Sequence, residues 1–240
     1  MPPPLRLAVL VSGRGSNLAA LLAAHARGEL DVEPVLVASD RPGCAALAIA
    51  RAAGVPVAAL PPREFASRAA FDRALFGRVA DAAPDLLVLA GFMRILDAEV
   101  VASAPWPMIN VHPSLLPRHP GLDTHARALA AGDAEHGASV HQVIPQLDAG
   151  PVLAQARIPV HGTDTPETLA ARLLPLEHAL LVGVVGLIAD GRLRLSQAGI
   201  QFDGATLAAP LVLEIPDDGD AKAARLRAPG DRPAAGNGPR

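Results

Sequence analysis

Apolar residues in this chain alternate between short unbroken blocks and stretches at helical spacing. Leu5 to Val11 is a near-continuous apolar run, the pattern of a strand buried on both faces of a parallel sheet. Behind it Leu18, Leu21, Leu22 and Ala26 recur at helical intervals, with Ser16 or Asn17 as the expected N-cap. Val35 to Ser39 predicts a second strand, Gly43 to Ala53 a helix, and Val55 to Leu60 a third strand. Arg63 to Ala82 predicts a longer helix whose Phe71, Leu75 and Val79 face the sheet. Asp85 to Ala90 and Pro107 to Val111 predict two further strands, followed by a short helix that ends near Gly132. Gly137 to Ile144 and Val152 to Val160 predict the next two strands. Thr165 and Pro166 open a helix that runs to about Asp190, where Pro175 predicts a kink or an unpaired carbonyl at Ala171. Arg192 to Leu195 fits a last short strand. The alternation predicts an α/β fold: a doubly wound, mostly parallel sheet with helices on both faces, spanning residues 1–205. Residues 206–240 form a C-terminal extension, expected to be largely disordered from about 215, where Asp, Gly and Pro dominate.

Composition narrows the class. Half of the 240 residues are hydrophobic but only 2% are aromatic, so Ala, Val, Leu and Ile must build the core of what reads as one large domain. A net charge of -3 excludes a nucleic-acid partner held by a bulk positive field. Cys44 is the only cysteine, so no intramolecular disulfide forms, in keeping with a reducing compartment. No signal peptide is evident, and no apolar run reaches the ~18–20 residues of a membrane span; even Ala179 to Ala189 is too short. The expectation is a soluble cytoplasmic protein without membrane or nucleic-acid partners.

Two stretches carry chemistry. In Ser12-Gly13-Arg14-Gly15-Ser16-Asn17 a Gly/Ser-rich turn leads into a helix N-terminus, an arrangement suited to a phosphate. An ordinary strand-to-helix turn reads the same way. So does a dinucleotide fingerprint, because Asp40 follows the second strand ~20 residues on, although Leu18 stands where that fingerprint has its third glycine. Further along, Asn110 and His112 lie two apart on one strand and share a face, and Pro113 and Pro117 stop the strand there. An amide that donates to an oxyanion beside a titratable imidazole is equipment for acyl-type transfer. Downstream, Asp148 sits in a Gly/Pro-bounded turn, where a carboxylate is ordinarily a solvated turn-former. His112, His119 and His125 match no metal-ligand spacing, so no metal is expected.

The stretch Asn110-Val111-His112-Pro113-Ser114-Leu115-Leu116-Pro117, followed by Leu147-Asp148-Ala149-Gly150-Pro151, resembles the folate-dependent formyltransferases, and among them most closely the glycinamide ribonucleotide transformylases of purine synthesis. Ser-Gly-x-Gly-Ser-Asn at 12–17 and Ala-Gly-Phe-Met-Arg-Ile-Leu at 90–96 match as well, and the resemblance covers about residues 5 to 205. It implies a formyltransferase-like Rossmann variant that uses 10-formyltetrahydrofolate as co-substrate and needs no metal. By the same resemblance Asn110, His112 and Asp148 are catalytic, Gly15, Ser16 and Asn17 hold the substrate phosphate, and Glu177 binds its ribose hydroxyls. Arg68, Met93, Arg94, Ile95, Leu96 and Asn110, with Ile144, Pro145, Gln146, Leu147 and Asp148, border the folate; read without the family, Met93 to Leu96 are the apolar start of a helix. Asp148 within hydrogen-bond reach would orient the His112 ring and raise its pKa.

Small-molecule substrates and a monomer or homodimer are the implied partners. Methionyl-tRNA formyltransferase shares the Asn-x-His and Asp core but carries a nucleic-acid-binding domain, for which the tail after 205 is too short. Formyltetrahydrofolate hydrolase normally has an added N-terminal domain, whereas this chain starts at its first strand; sugar-nucleotide formyltransferases should not need the phosphate turn. A nicotinamide-dependent oxidoreductase would use that turn without needing Asn110, His112 and Asp148 together.

Overall fold

The computed structural model describes residues 3–196, 199–215 and 224–229, and the apolar blocks become strands where the pattern puts them. β1 (Leu5–Val11) turns into α1 (Ser16–Ala26), and the unit recurs as β2 (Val32–Ser39) with α2 (Ala45–Ala52), β3 (Val57–Ala59) with α3 (Arg68–Asp81), and β4 (Leu86–Leu89) with α4 (Ala98–Ser103). Next come β5 (Met108–His112), α5 (Thr124–Ala130), β6 (Glu135–Gln142), β7 (Val152–Pro159) and α6 (Pro166–Ala189). The last described elements are β8 (Leu193–Ser196), β9 (Gly199–Phe202), β10 (Ala205–Thr206), β11 (Leu211–Glu214) and β12 (Arg225–Arg227).

Among the described residues nine strands join in one sheet, ordered β12-β11-β7-β6-β5-β4-β1-β2-β3, while β8 to β10 form a small antiparallel sheet. From β3 across to β5 every pairing is parallel. β6 runs antiparallel to both β5 and β7, β11 is parallel to β7, and β12 pairs antiparallel with β11.

The pleat explains why the strands are apolar throughout. Leu7, Val9 and Val11 enter one core with Leu18, Leu47, Leu173 and Leu180 of α1, α2 and α6; Ala8 and Leu10 enter another with Phe71, Leu75 and Val101 of α3 and α4. β4 divides in the same way, Leu86 and Val88 against Leu87 and Leu89. With helices on both faces, every strand position must be apolar. On β5, Ile109 and Val111 belong to the first core and Met108 to the second, so Asn110 and His112 share the face of Met108.

Several elements differ from expectation. Neither Ser16 nor Asn17 caps α1: Gly15 takes the N-cap at φ 79° with no side-chain cap bond. The turn is pressed against α2 so closely that a Cβ on Gly15 would lie 2.6 Å from the Ala46 Cβ, which only glycine avoids. The 63–82 helix is shorter, because Pro62–Glu64 form one 3-10 turn and Ser67 Oγ then caps α3 by accepting the Ala70 N–H at 3.1 Å. α6 runs through Pro175 without interruption.

By length and composition α6 is apolar enough to cross a membrane, which counting unbroken apolar runs had missed. It packs against α1, β6 and β7, with Leu169, Leu173, Leu180 and Val184 in the first core. Described parts of the extension join the fold. β11 adds to the main sheet beside β7, Arg225–Arg227 pairs with it, and Leu226 rests on α6 at Gly183. The rest of the stretch expected to be disordered, 216–223 and 230–240, lies outside the described residues.

Candidate active site

Asn110 and His112 emerge side by side at the carboxyl end of β5, and Pro113 ends the strand. Asp148 reaches them from the turn between β6 and β7, where its own φ is +49°. That turn is fixed by Gly150, whose added Cβ would lie 1.8 Å from the Gln142 carbonyl oxygen. Asp148 is not a solvated turn-former, since its side chain is only 7% exposed. One carboxylate oxygen accepts the Gly121 N–H at 2.8 Å and lies 3.5 Å from His112 Nδ1; the other is 3.6 Å from His141 Nε2.

His141 is the site residue that sequence reasoning missed. It lies opposite Asn110 in the β5–β6 pairing, and the only signal for it was a strand register that the sequence does not spell out. Its Nδ1 is 3.0 Å from the Gln142 carbonyl oxygen, an acceptor only, so this nitrogen carries the proton. Nε2 then accepts from Asn110 Nδ2 at 3.0 Å. One amide hydrogen of Asn110 is thereby held, and the second is free to meet an oxyanion.

By the same logic His112 Nε2–H donates to the His119 carbonyl at 3.1 Å, which leaves Nδ1 as the lone pair beside Asp148. The loop that supplies that carbonyl is pinned to the sheet. Ser139 Oγ donates to the Ser114 carbonyl at 2.7 Å and accepts the Leu116 N–H, and Gln155 Nε2 donates to the Leu116 carbonyl. The expected rise in the His112 pKa is reversed. Burial lowers it, and the upward pulls of the His119 carbonyl and Asp148 do not make up the difference. Burial opposes ionisation of Asp148 too, but there His141, the Gly121 N–H and His112 prevail and hold the carboxyl below its ordinary value.

On the α1/α6 face of the same edge lies a cavity of about 700 Å³ lined by Gly15, Ser16, Asn17, Met93, Val111 and Glu177, among others. The four residues expected to hold phosphate and ribose are therefore together. Glu177, 8% exposed, is hydrogen-bonded by Asn17, yet burial pushes its pKa up to about 7. Asn17 Oδ1 is buried without a protein partner, and Ala171, which lacks an N–H from Pro175 four residues on, lines the same space. His125 also lines it.

On the α3/α4 face a narrow cleft of about 80 Å³ is lined by Arg94, Ile95, Leu96, Asn110, His141 and the 144–148 segment. Arg68 and Met93 do not line it. Met93 faces the other cavity, and Arg68 sits exposed at the start of α3, where it acts on Asp72. Asp72 is a second residue missed by sequence reasoning; its signal was a carboxylate next to Phe71 on an otherwise apolar helix face. It is fully buried, accepts the Asp97 N–H at 2.7 Å, and so ties down the end of the 91–97 loop. Burial raises its pKa against the pull of the Asp97 N–H, Arg94 and Arg68. Ser12 does the same at the loop's start: its Oγ accepts the Met93 N–H at 2.9 Å and donates to Asp40 at 2.6 Å. Among the described residues no group of three or more His, Cys, Asp or Glu is placed to hold a metal ion.

The family model for formyl transferases matches residues 5–185. Over 203 residues the chain is 42% identical to the phosphoribosylglycinamide formyltransferase of Escherichia coli, covering 85% of this chain and 96% of that one. The trifunctional purine biosynthetic protein adenosine-3 of Homo sapiens is 36% identical over 81% of this chain, which spans 19% of it. Among solved structures, the phosphoribosylglycinamide formyltransferase of Coxiella burnetii superposes with a TM-score of 0.80 at 45% identity, covering 85% of this chain and 96% of that one. The chain belongs to the formyl transferase family.

Proposed function

We propose that the chain transfers the formyl group of 10-formyltetrahydrofolate to the amine of 5'-phosphoribosylglycinamide, a step of purine synthesis carried out on small molecules in the cytoplasm. The observation that carries the reading is that the cleft lined by Asn110 and Asp148 and the cavity lined by Gly15, Ser16, Asn17, Val111 and Glu177 lie on the two faces of the same carboxyl end of β5. Asn110 and His112 stand at that end.

In this reading the phosphate lies on the Gly15–Asn17 turn, where a helix N-terminus favours an anion. The ribose hydroxyls meet Glu177. The folate ring enters beside Ile95 and Leu147, which are about half exposed in the narrow cleft and move aside to admit it. The glycinamide nitrogen attacks the formyl carbon, and the free Asn110 amide hydrogen meets the oxygen that becomes negative. Burial disfavours the charged form of the His112 ring, so the ring accepts the proton the amine loses. Taken up at Nδ1, that proton forms an imidazolium beside the Asp148 carboxylate. The carbon–nitrogen bond to folate then breaks, and the leaving nitrogen receives the proton from the imidazolium.

A folate-release assay run with and without phosphoribosylglycinamide tests this. Tetrahydrofolate should appear only when the acceptor is present, in equal amount to the formylated product. Equal release without acceptor would make the chain a hydrolase.

A further inference from the structure

The Ser12–Arg14 turn has a cavity on its other side as well. This one is an open cleft of about 580 Å³ at the carboxyl ends of β1, β2 and β3, and the proposed reaction assigns it no substrate. Its buried wall is Asp40, the residue that follows β2. Asp40 Oδ1 is held by the Ser12 hydroxyl at 2.6 Å, and Oδ2 lies 3.9 Å from Arg41 Nε. Arg14, Arg41 and Arg63 stand exposed around the rim, and Arg14 and Arg63 have no hydrogen-bond or ion-pair partner among the described residues. Pro42, Pro61 and Pro62 supply apolar walls.

Three guanidinium groups around one carboxylate leave the cavity positive, and two of them are unengaged. Guanidinium forks match phosphate oxygens. A carboxylate at the end of the second strand is where α/β nucleotide folds hold a ribose diol, and ring-faced proline walls suit a base. The turn itself cannot take a pyrophosphate in the dinucleotide manner, since buried Leu18 replaces the third glycine. We infer that this cavity is a second binding site, for a mononucleotide whose phosphate meets Arg14 and Arg63 and whose ribose meets Asp40. The site is separate from the proposed reaction and shares with it only the Ser12–Arg14 turn and Arg41.

Isothermal titration with adenosine 5'-monophosphate, in saturating phosphoribosylglycinamide to fill the neighbouring cavity, tests the inference. Inorganic diphosphate serves as the anion control. Arg63→Ala is the informative variant, because Arg63 is exposed and lines only this cavity. The wild type should bind the nucleotide more tightly than diphosphate. Arg63→Ala should lose at least about tenfold in nucleotide affinity, the worth of one charged hydrogen bond, with KM for phosphoribosylglycinamide unchanged. The inference is overturned if the nucleotide does not bind, if Arg63→Ala binds it as tightly as the wild type, or if diphosphate binds equally well.

Discussion

The cavity on the α1/α6 face and the cleft on the α3/α4 face share one sheet edge but are built by different means. The first depends on backbone: a turn closed by Gly15 at φ 79°, pressed on Ala46, with one helix end above it. Its parts lie within three consecutive residues, plus Glu177 from α6. The second depends on side chains from separate strands and loops. Asn110 leans on His141, His112 on the His119 carbonyl, and Asp148 on the Gly121 N–H. Damage to a backbone-built site should therefore show in binding and folding, and damage to a side-chain-built site in rate.

Asp148→Asn should break the comparison most visibly. Asparagine tolerates the +49° φ, so the turn survives. The charge that stabilises a protonated His112 is lost, and kcat should fall by roughly 10³–10⁴-fold, as for an orienting carboxylate in a triad. KM for both substrates should hold within a few-fold. Because Asp148 is one of the groups pulling the His112 pKa upward against burial, the acid limb of the kcat/KM profile should move further below its wild-type position. Wild-type turnover in this variant would remove Asp148 from the mechanism.

Gly15→Ala sharpens the other half. The new methyl would sit 2.6 Å from Ala46 Cβ and 2.8 Å from its Cα, in a backbone region that side chains rarely adopt. Strain of this kind costs about 1–3 kcal/mol, which urea unfolding should register. The displaced turn should raise KM for phosphoribosylglycinamide by about tenfold or more while kcat changes less. A variant with normal KM would show that the turn does not hold the phosphate.

The same difference decided what the sequence made legible. The β1–α1 turn could be read because strand, glycine and helix are contiguous, and Asn110 and His112 could be paired because strand parity is local. The partner of Asn110 could not: His141 reaches it only because β6 pairs antiparallel with β5, a fact about chain return rather than about any window of residues. The His112 pKa was misjudged for a related reason. A carboxylate neighbour can be named from a motif, but the burial that outweighs it exists only once the 113–123 loop has folded over the ring. β12 escaped notice because three residues, two of them arginines, form a strand only when an edge is already waiting for them.

The smallest expected effect on binding concerns Glu177, where the backbone-built cavity depends on one side chain. Burial lifts its pKa from 4.5 to about 7, so the folded chain holds this proton more tightly than the unfolded chain does. The resulting stabilisation is complete below pH 4.5 and is lost as pH rises through 7. Glutamine imitates the protonated form. Glu177→Gln should therefore match the wild type in stability near pH 4.5 and exceed it above pH 7 by on the order of 2–3 kcal/mol. Ligand binding should move in the opposite sense, because ribose hydroxyls donate better to an ionised carboxylate. KM of the wild type for phosphoribosylglycinamide should fall a few-fold as pH rises through about 7, and that of Glu177→Gln should stay level. Chemical denaturation at the two pH extremes and KM measured across the interval check both signs. If the two proteins differ in stability by the same amount at both extremes, Glu177 is not the titrating group, and its place at the ribose loses its support.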